Sequence, residues 1–476
     1  MKIVMIASEA RPFCKTGGLA DVTYSLSKEL AMMGEEVSII IPFYDLIKEK
    51  KIEVKKVANF DVRMSWRKQN TNVYSTIQEG INYYFIENDQ YFSRGHLYGD
   101  GDDGERFAFF ALASKELMIA LKMKPNIVNV HDWQSAMVPV LIKEDQVSQK
   151  KYFPKTHYVL TIHNPAFQGM LDGDAAGDLF NLPYALFENG SLRLKDRFST
   201  LKSGIMYSDK IVTVSPNHHN ELLTPYGGMG LDGVLRLREW DFTGVLNGID
   251  YLEFNPADDK YIALNYNINK AISGKKASKQ ALYERFNLDD IKRPLISLVT
   301  RITWQKGFDI IFPAIDEIIA HGANIIMLGS GEYNYEQKWE ELLKRYPGRI
   351  GLYLGYSDPL AHLIYAGSDF FLMPSLFEPC GLGQMIAQRY GTPPIVRLTG
   401  GLTDSVICFD GNNIDEANGF GFSEYSAFEL LKCTLFAIDS YKKEKIRKAL
   451  IKNAMETNNT WRKSAELYLG IYKEIV

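Results

Sequence analysis

An alternation of short apolar runs with helical stretches is the feature that most constrains how this chain can fold, and it occurs twice. The first series of strand-like runs covers residues 3–7, 36–41, 127–130, 158–162 and 210–214. The second series covers residues 295–300, 323–328, 350–353, 370–373 and 394–396. Strands that alternate with helices form parallel sheets wrapped by helices. The sequence therefore predicts an α/β fold with two doubly wound parallel-sheet domains, whose strands end at a central ligand-binding cleft.

Turn-forming residues separate the two series. The stretch of residues 238–256 contains Gly244, Asn247-Gly248 and Asn255-Pro256. Because these residue types favour turns, we predict an N-terminal domain of residues 1–243 and a second domain that begins at residue 244. A chain of 476 residues is also too long for one ordinary core.

Two further segments show no clear helical or strand periodicity in their apolar residues. Residues 258–280 are polar and rich in lysine, and we expect them to lie at the surface. Residues 170–197 have an irregular pattern with several glycines, and we expect a flexible excursion near the cleft.

A glycine loop follows the first apolar run. Residues 15–21 read Lys-Thr-Gly-Gly-Leu-Ala-Asp and precede the amphipathic residues 22–33, which predicts a strand, a tight loop and a helix. Such a loop presents backbone N–H groups and a helix N-terminus to an anion, and Lys15 adds a positive charge. The pattern is neither G-x-G-x-x-G nor G-x-x-x-x-G-K-[ST]. We interpret it as a diphosphate site, although the glycines alone would indicate an ordinary strand–helix turn.

A second cationic loop follows the run 295–300. Arg301 and Lys306 flank this loop, and a helical stretch begins at Phe308. Paired cations suit a diphosphate leaving group, whose charge grows as its bond breaks. The alternative is a solvated loop with two ordinary surface charges. Together with Lys15, the strand-end position favours a binding site.

A carboxylate follows the run 370–373. Glu378 lies in a turn, and Gly381 and Gly383 open backbone N–H groups toward a ligand. A helix-start carboxylate is an equally good explanation of Glu378. Residues 399–404, Thr-Gly-Gly-Leu-Thr-Asp, repeat the pattern of residues 16–21, and for both terminal aspartates, Asp21 and Asp404, helix N-capping is the favoured role.

Two histidines lie at strand ends. His131 follows the run 127–130, and His163 follows the run 158–162. His163 is the better candidate for substrate contact, because packing against Trp133 can explain His131. His218-His219 has no further ligand at metal-binding spacing.

No metal site is predicted elsewhere. Asp100 and Asp102 form an Asp-x-Asp pair of the kind that holds a divalent ion in some sugar transferases, but a surface loop is favoured. Lys15, Arg301 and Lys306 are already expected to bind the diphosphate, so a metal ion is not needed.

Composition excludes several classes of protein. A net charge of −4 gives no basic footprint for nucleic acid, and no run of about 18 apolar residues predicts a membrane span. Met1-Lys2-Ile3 leads directly into a strand, so no targeting segment is expected. Four scattered cysteines, Cys14, Cys380, Cys408 and Cys433, suit a reducing cytoplasm. We therefore expect a cytoplasmic protein, and the sequence indicates no oligomeric state.

Together these segments resemble bacterial glycogen synthases and plant starch synthases, retaining glycosyltransferases with the GT-B architecture of two Rossmann-like domains. The resemblance runs from Lys2 to near the C-terminus and rests on residues 15–21, 131–133, 163–164, 244–250, 301, 305–307, 378–382 and 399–402. It implies transfer of glucose from ADP-glucose to the non-reducing end of an α-1,4-glucan, with retention and without a metal or cofactor. It also implies that residues 457–476, anchored by Trp461, form a helix that crosses back to the N-terminal domain, so that the second domain ends at residue 456.

The resemblance also assigns residues. Glu378 is the essential carboxylate, Arg301 and Lys306 hold the diphosphate together with Lys15, and His163 contacts the glucose. The remaining binding residues that it implies are Gly18, Asn247, Tyr356, Cys380, Gly381 and Leu382 for the donor, and Asp21 for the acceptor side. Of these, Tyr356 would lie against the adenine, although a core aromatic is its alternative.

Departures from the family are modest. Phe167 replaces the usual tyrosine before Gln-Gly, and Phe254 replaces a tryptophan. Three alternatives remain open: a related transferase that uses UDP-glucose or another acceptor such as sucrose, a non-catalytic glucan-binding protein, and a nicotinamide-dependent dehydrogenase. The absence of G-x-G-x-x-G disfavours the dehydrogenase.

Overall fold

The computed structural model describes all 476 residues, and their contacts divide the chain into two units. Unit 1 comprises Met1–Val245 and Trp461–Val476, and unit 2 comprises Leu246–Thr460. Each unit contains one large sheet with helices packed against it. No helix has the length and apolar character needed to cross a membrane.

Unit 1 is built on a nine-stranded sheet. Its strands, with those of a smaller sheet, are β1 (Lys2–Ile6), β2 (Glu36–Pro42), β3 (Lys55–Met64), β4 (Arg67–Gln78), β5 (Ile81–Glu87), β6 (Ile127–His131), β7 (His157–Ile162), β8 (Met170–Leu171), β9 (Arg193–Leu194), β10 (Arg197–Ser199), β11 (Lys210–Thr213) and β12 (Phe242–Gly244). The large sheet has the order β12-β11-β7-β6-β1-β2-β5-β4-β3, and the small one β8-β10-β9. The seven strands from β12 to β5 are parallel, and β4 and β3 continue the sheet antiparallel.

The register explains the apolar runs. Ile3 in β1 pairs with Val37 on one side and Ile127 on the other, and all three are buried. Helices that cover both faces of a parallel sheet require continuous apolar strands, which is the pattern that the sequence shows. The helices of this part of unit 1 are α1 (Gly18–Met32), α2 (Asp45–Lys48), α3 (Asp89–Phe92), α4 (Asp103–Ala120), α5 (Asp132–Ser135), α6 (Met137–Glu144), α7 (Gln146–Tyr152), α8 (Ala175–Asp178), α9 (Ala185–Glu188), α10 (Thr200–Tyr207), α11 (Pro216–Leu222) and α12 (Asp232–Leu237).

Unit 2 contains a six-stranded sheet that is parallel throughout, in the order β15-β14-β13-β16-β17-β18. Its strands are β13 (Leu295–Val299), β14 (Asn324–Gly329), β15 (Ile350–Leu354), β16 (Phe370–Met373), β17 (Pro394–Arg397) and β18 (Phe420–Phe422). Its helices are α13 (Ala271–Phe286), α14 (Phe308–Ala320), α15 (Tyr333–Arg345), α16 (Asp358–Gly367), α17 (Gly383–Arg389), α18 (Gly401–Ser405), α19 (Ala427–Tyr441) and α20 (Glu444–Glu456).

The last helix, α21 (Trp461–Ile475), belongs to unit 1 and packs against α1. Trp461 and Tyr472 on this helix are buried. The hydroxyl of Tyr472 donates a buried hydrogen bond of 2.6 Å to the side-chain oxygen of Asn129 in β6. The C-terminal segment is therefore tied to the sheet of unit 1.

Three segments differ from the sequence prediction. Strands β3, β4 and β5 were not predicted, because β3 and β4 carry polar side chains on an exposed face and lack a continuous apolar run. Residues 170–197, predicted as an irregular excursion, contain β8, β9 and two short helices. The prediction that residues 258–280 lie at the surface is wrong for Asp259 and Lys275, which are buried.

Candidate functional site

The predicted site residues of unit 1 follow three adjacent strands. Strand β1 lies between β2 and β6, and β6 neighbours β7. The Lys15 loop, defined as residues 7–17, connects β1 to α1, while His131 ends β6 and His163 follows β7. Because carboxyl ends of parallel strands share one edge of a sheet, these loops lie along the same edge.

Lys15 is held in an ion pair within unit 1. Its ammonium lies 2.8 Å from the carboxylate of Asp21, and Arg11 contacts the same carboxylate at 3.2 Å. The prediction that Asp21 caps the helix is wrong, because the residue at the N-cap of α1 is Gly17, which makes no side-chain capping bond. Asp21 instead orients two cations at the start of the helix.

The position that a Gly18 side chain would occupy is open space. A Cβ atom built on this residue would meet no atom within 4 Å, so nothing in the protein requires glycine at this position for packing. An absent side chain beside a helix N-terminus does allow an anion to approach the backbone closely.

Glu9, which the sequence analysis missed, stabilises the Lys15 loop by hydrogen bonds to Thr16. Its carboxylate Oε2 accepts hydrogen bonds from the backbone N–H of Thr16, at 2.5 Å, and from the Thr16 hydroxyl, at 3.1 Å. Glu9 is buried, and burial raises the pKa of its carboxyl to about 7. The one sequence signal was an acidic residue close to the end of a predicted strand.

His131 and His163 form a pair. Nδ1 of His131 lies 2.9 Å from Nε2 of His163, with the ring planes 27° apart. Burial lowers the pKa of His131 well below its usual range and that of His163 to about 3. The sequence explained His131 by packing against Trp133. In the structure the Trp133 ring lies edge-on against Phe107, and the His131 ring contacts His163, a pairing that was not predicted.

Asp132 fixes the chain that carries His163. Its carboxylate accepts the backbone N–H groups of His163, at 2.7 Å, and Asn164, at 3.4 Å. Asp132 has a positive φ of 55°, a conformation that aspartate adopts more readily than most residues. Burial raises the pKa of this carboxyl to about 7.

The central contact of unit 2 joins Lys306 to Glu378. Their ammonium and carboxylate are 2.5 Å apart, and the Ser375 hydroxyl donates to the same carboxylate oxygen at 3.0 Å. Lys306 follows β13 and Glu378 follows β16, and these strands are neighbours. The alternative role of Glu378 at a helix start is wrong, because α17 begins only at Gly383.

Glycine and glutamine lock the same two loops together. Gly307 has a φ of 79°, and a Cβ atom there would lie 2.2 Å from the carbonyl oxygen of Pro374. Gln305 donates to the carbonyl of Phe377 at 3.0 Å and accepts from the backbone of Leu376 at 2.8 Å. The position of Lys306 is thus fixed by close backbone contact.

Arg301 is exposed and takes part in no ion pair. Arg301 lies in the loop after β13, separated from the strand by Thr300 and five residues before Lys306. An unpaired guanidinium in the same loop as a paired ammonium leaves net positive charge in the segment that follows β13, which suits an anionic ligand.

Cys380 is packed against Asn247. Asn247 hydrogen-bonds to the thiol through its backbone and side-chain N–H groups, and burial raises the thiol pKa to about 12. The side-chain oxygen of Asn247 is buried without a partner. Gly381 has a φ of 73°, and Leu382 occupies the N-cap of α17, so residues 380–382 lead into a helix N-terminus.

Residues 399–402 support the Glu378 loop. The backbone N–H of Gly401 donates to the carbonyls of Glu378 and Pro379. Gly400 has a φ of 45°, and a Cβ atom there would lie 2.1 Å from the carbonyl oxygen of Glu378. This glycine pair therefore has a packing role in unit 2.

Tyr356 is largely exposed, so the alternative of a core aromatic is wrong. Its hydroxyl donates to Asp358 at the start of α16. The ring is therefore accessible to a planar ligand, as stacking on an adenine would require.

Both aspartates of the Asp-x-Asp loop form ion pairs with arginines. Asp100 lies 2.9 Å from Arg106, and Asp102 lies 2.8 Å from Arg94. The structure holds no group of three or more His, Cys, Asp or Glu side chains arranged to bind a metal ion.

Comparison with known proteins covers the whole chain. Residues 2–237 match the family model "Starch synthase catalytic domain", and residues 293–423 match "Glycosyl transferases group 1". The chain is 42% identical to the glycogen synthase of Anoxybacillus flavithermus over 480 residues, covering 100% of this chain and 98% of the relative. It is also 42% identical to the glycogen synthase of Clostridium kluyveri, with 100% of both chains covered. The catalytic domain of starch synthase IV from Arabidopsis thaliana, bound to ADP and acarbose, superposes with a TM-score of 0.92 at 33% identity, covering 99% of each chain.

Proposed function

The chain belongs to the glycogen synthase and starch synthase family, and from this premise we propose that it transfers glucose from ADP-glucose to the non-reducing end of an α-1,4-glucan. As a family member it is a glucosyltransferase with a GT-B-like fold. The observation that carries the proposal is the Lys306–Glu378 ion pair together with the unpaired Arg301 of the same loop, because a diphosphate leaving group needs positive charge. The ADP in the related starch synthase structure supports ADP-glucose as the donor.

Lys306 is poised to stabilise the departing diphosphate. An ammonium group has three N–H donors, and Glu378 is the hydrogen-bond partner that the structure gives it. The remaining donors are available to phosphate oxygens, whose charge is greatest in the transition state. Interactions that strengthen in the transition state raise kcat, and Arg301 adds a second cation of the same kind.

Glu378 acts as an electrostatic partner in this proposal. Its Oε2 already accepts hydrogen bonds from Lys306 and Ser375, which lowers its nucleophilicity. We infer a front-face displacement: the acceptor hydroxyl forms the new bond to the anomeric carbon while the bond to the diphosphate breaks on the same face. The diphosphate oxygen takes the acceptor proton, so the products are ADP and a lengthened glucan. A double displacement through a glucosyl–Glu378 intermediate is the competing mechanism.

The residues of unit 1 supply sugar and phosphate contacts. Lys15, oriented by Asp21, contributes charge for a phosphate, and the open space above Gly18 admits it. His163 offers a neutral ring to a sugar hydroxyl. Asp21 itself is proposed for the acceptor side, as the resemblance to the family implies.

The donor-binding set in unit 2 is proposed from the same contacts. Asn247, with its unpartnered side-chain oxygen, is suited to a sugar hydroxyl. The backbone of residues 380–382, which leads into α17, is suited to a phosphate or a sugar oxygen. Tyr356 is assigned to the adenine.

Independence of metal and residence in the cytoplasm remain predictions of the same proposal. The test is incorporation of labelled glucose into glycogen from ADP-glucose and UDP-glucose in parallel, with and without a chelator. Faster transfer from ADP-glucose that is unaffected by the chelator supports the proposal. Preference for UDP-glucose contradicts the donor, a loss of activity with chelator contradicts metal independence, and transfer from neither donor favours a glucan-binding protein.

A further inference from the structure

The structure places a second histidine directly behind the candidate sugar contact His163. His131 is completely buried, and its Nε2 has no hydrogen-bond partner. Its Nδ1 lies 2.9 Å from Nε2 of His163. His163 is only partly buried, and its other ring nitrogen, Nδ1, makes no hydrogen bond within the protein. One nitrogen of His163 thus faces His131, and the other is available to a ligand.

Both rings are neutral, because burial lowers both pKa values far below pH 7. A neutral imidazole has one N–H and one bare nitrogen, so one proton lies between the two rings. If His163 donates that proton, its Nδ1 is a bare acceptor, and His131 keeps a buried N–H on Nε2. If His131 donates it, His163 carries an N–H on Nδ1, and the buried Nε2 of His131 is bare.

The buried environment of His131 distinguishes the two arrangements. Among backbone groups, a buried N–H without an acceptor is rarer than a buried acceptor without a donor, and we infer the same order for these ring nitrogens. No protein group accepts from this nitrogen, because Nε2 of His131 is buried without a hydrogen-bond partner. The arrangement in which His131 donates from Nδ1 is therefore favoured.

We propose that His131 is a positioning residue that donates from Nδ1 to Nε2 of His163 and thereby fixes His163 as an uncharged donor, through Nδ1–H, to a hydroxyl oxygen of the bound sugar. The tautomer follows from the histidine pair alone, whereas the sugar contact rests on the proposed function. His163 then orients the glucose and transfers no proton during the reaction.

The tautomer is tested on the wild-type protein by NMR of histidine labelled with ¹⁵N. The chain has eight histidines, so long-range ¹H–¹⁵N correlations can be assigned with His131→Asn and His163→Asn. The expected result is a protonated Nδ1 on His163 and a bare Nε2 on His131, unchanged across neutral pH. A protonated Nε2 on His163 overturns the proposal.

Kinetics test whether His131 acts through His163. The amide of His131→Asn can still donate from the Nδ1 position, so kcat/KM for ADP-glucose should stay within about threefold of wild type, whereas His131→Leu should lower it about tenfold. His131→Leu should then add little to His163→Ala in the double variant, because the two residues form one unit. Additive losses, or equal losses in the Asn and Leu variants, overturn the positioning role.

A matched control separates this role from general loss of a buried histidine. His218 is also buried in unit 1 with an unpartnered Nε2, and His218→Asn should leave kcat/KM within about threefold of wild type. If His218→Asn lowers kcat/KM as much as His131→Leu, the effect is structural and the proposal fails. If the wild-type protein transfers no glucose from ADP-glucose, the proposed function fails, and the NMR result alone decides the tautomer.

Discussion

The ammonium of Lys306 lies 2.5 Å from the carboxylate of Glu378, and this contact joins the loops that follow two neighbouring strands. Both side chains are about nine-tenths buried, with exposed fractions of 13% and 10%. A buried ion pair depends on both members, because removal of either one leaves an uncompensated charge. Substitution of each partner should therefore have a distinct effect.

Lys306→Ala should lower kcat by about 10²–10³, because the leaving diphosphate loses a cation that acts mainly in the transition state. Affinity for glycogen should change little. Initial rates of ADP release and a glycogen co-sedimentation assay measure the two quantities. Lys338→Ala, which removes an exposed lysine from α15, is the control and should keep the wild-type rate. A wild-type kcat in Lys306→Ala would rule out this role.

Glu378→Gln should lower the free energy of unfolding by about 3 kcal/mol, since the buried ammonium of Lys306 loses its counter-charge. Combining it with Lys306→Met removes the orphaned charge, so the double variant should regain part of the loss. Urea unfolding followed by fluorescence measures both. A Glu378→Gln protein as stable as wild type would show that the pair contributes nothing to stability.

Gly307→Ala tests the close contact that positions Lys306. The new methyl group would meet the carbonyl oxygen of Pro374 at 2.2 Å, in addition to the strain of a φ of 79°. Gly322→Ala is the matched control, because Gly322 has a φ of 110° but open space around its Cβ position. The control should cost about 1–2 kcal/mol of unfolding free energy from backbone strain alone. Gly307→Ala should cost more and also lower kcat, and equal stability losses would contradict the steric account.

Lys275 should make stability depend on pH. Its buried ammonium donates to the carbonyl of Ala366 and the hydroxyl of Thr392, and burial lowers its pKa from 10.5 to about 7. Between these values the unfolded chain binds the proton and the folded chain does not. The contribution of Lys275 to stability therefore rises with pH across this window, by up to about 1.4 kcal/mol per pH unit.

The comparison of Lys275→Met with wild type isolates this effect. We subtract the unfolding free energy of Lys275→Met from that of wild type, each measured by urea unfolding from about pH 7 to about pH 10. This difference should increase with pH. Lys276→Met removes the exposed neighbouring charge and should leave the wild-type slope unchanged. Parallel curves for wild type and Lys275→Met would contradict the lowered pKa.

Much of the fold could be predicted because parallel strands buried on both faces must be continuously apolar. Ile3 and Ile127 lie in such runs and pair as neighbours in the sheet. Strands β3 and β4 escaped prediction, because one face of each is exposed and polar side chains such as Asn59 and Asn70 interrupt the pattern.

The candidate site was predictable only as positions at strand ends. The sequence placed Lys306 and Glu378 after their strands, but their ion pair follows from the adjacency of β13 and β16, which no local pattern encodes. His131 was undervalued for the same reason, since its partner His163 follows a different strand. Long-range strand order, rather than residue type, determines these two contacts. Glu9 was missed although its bond to Thr16 lies within the Lys15 loop, because no sequence pattern shows how a loop folds back on itself.

The most direct test of the central claim is NMR of the product formed from glycogen and ADP-glucose labelled with ¹³C at the anomeric carbon. The account predicts that the label enters the polymer as an α-1,4-linked residue, with one ADP released for each glucose transferred. A β-linked product would contradict retention, and release of labelled free glucose without polymer growth would contradict glucan synthesis.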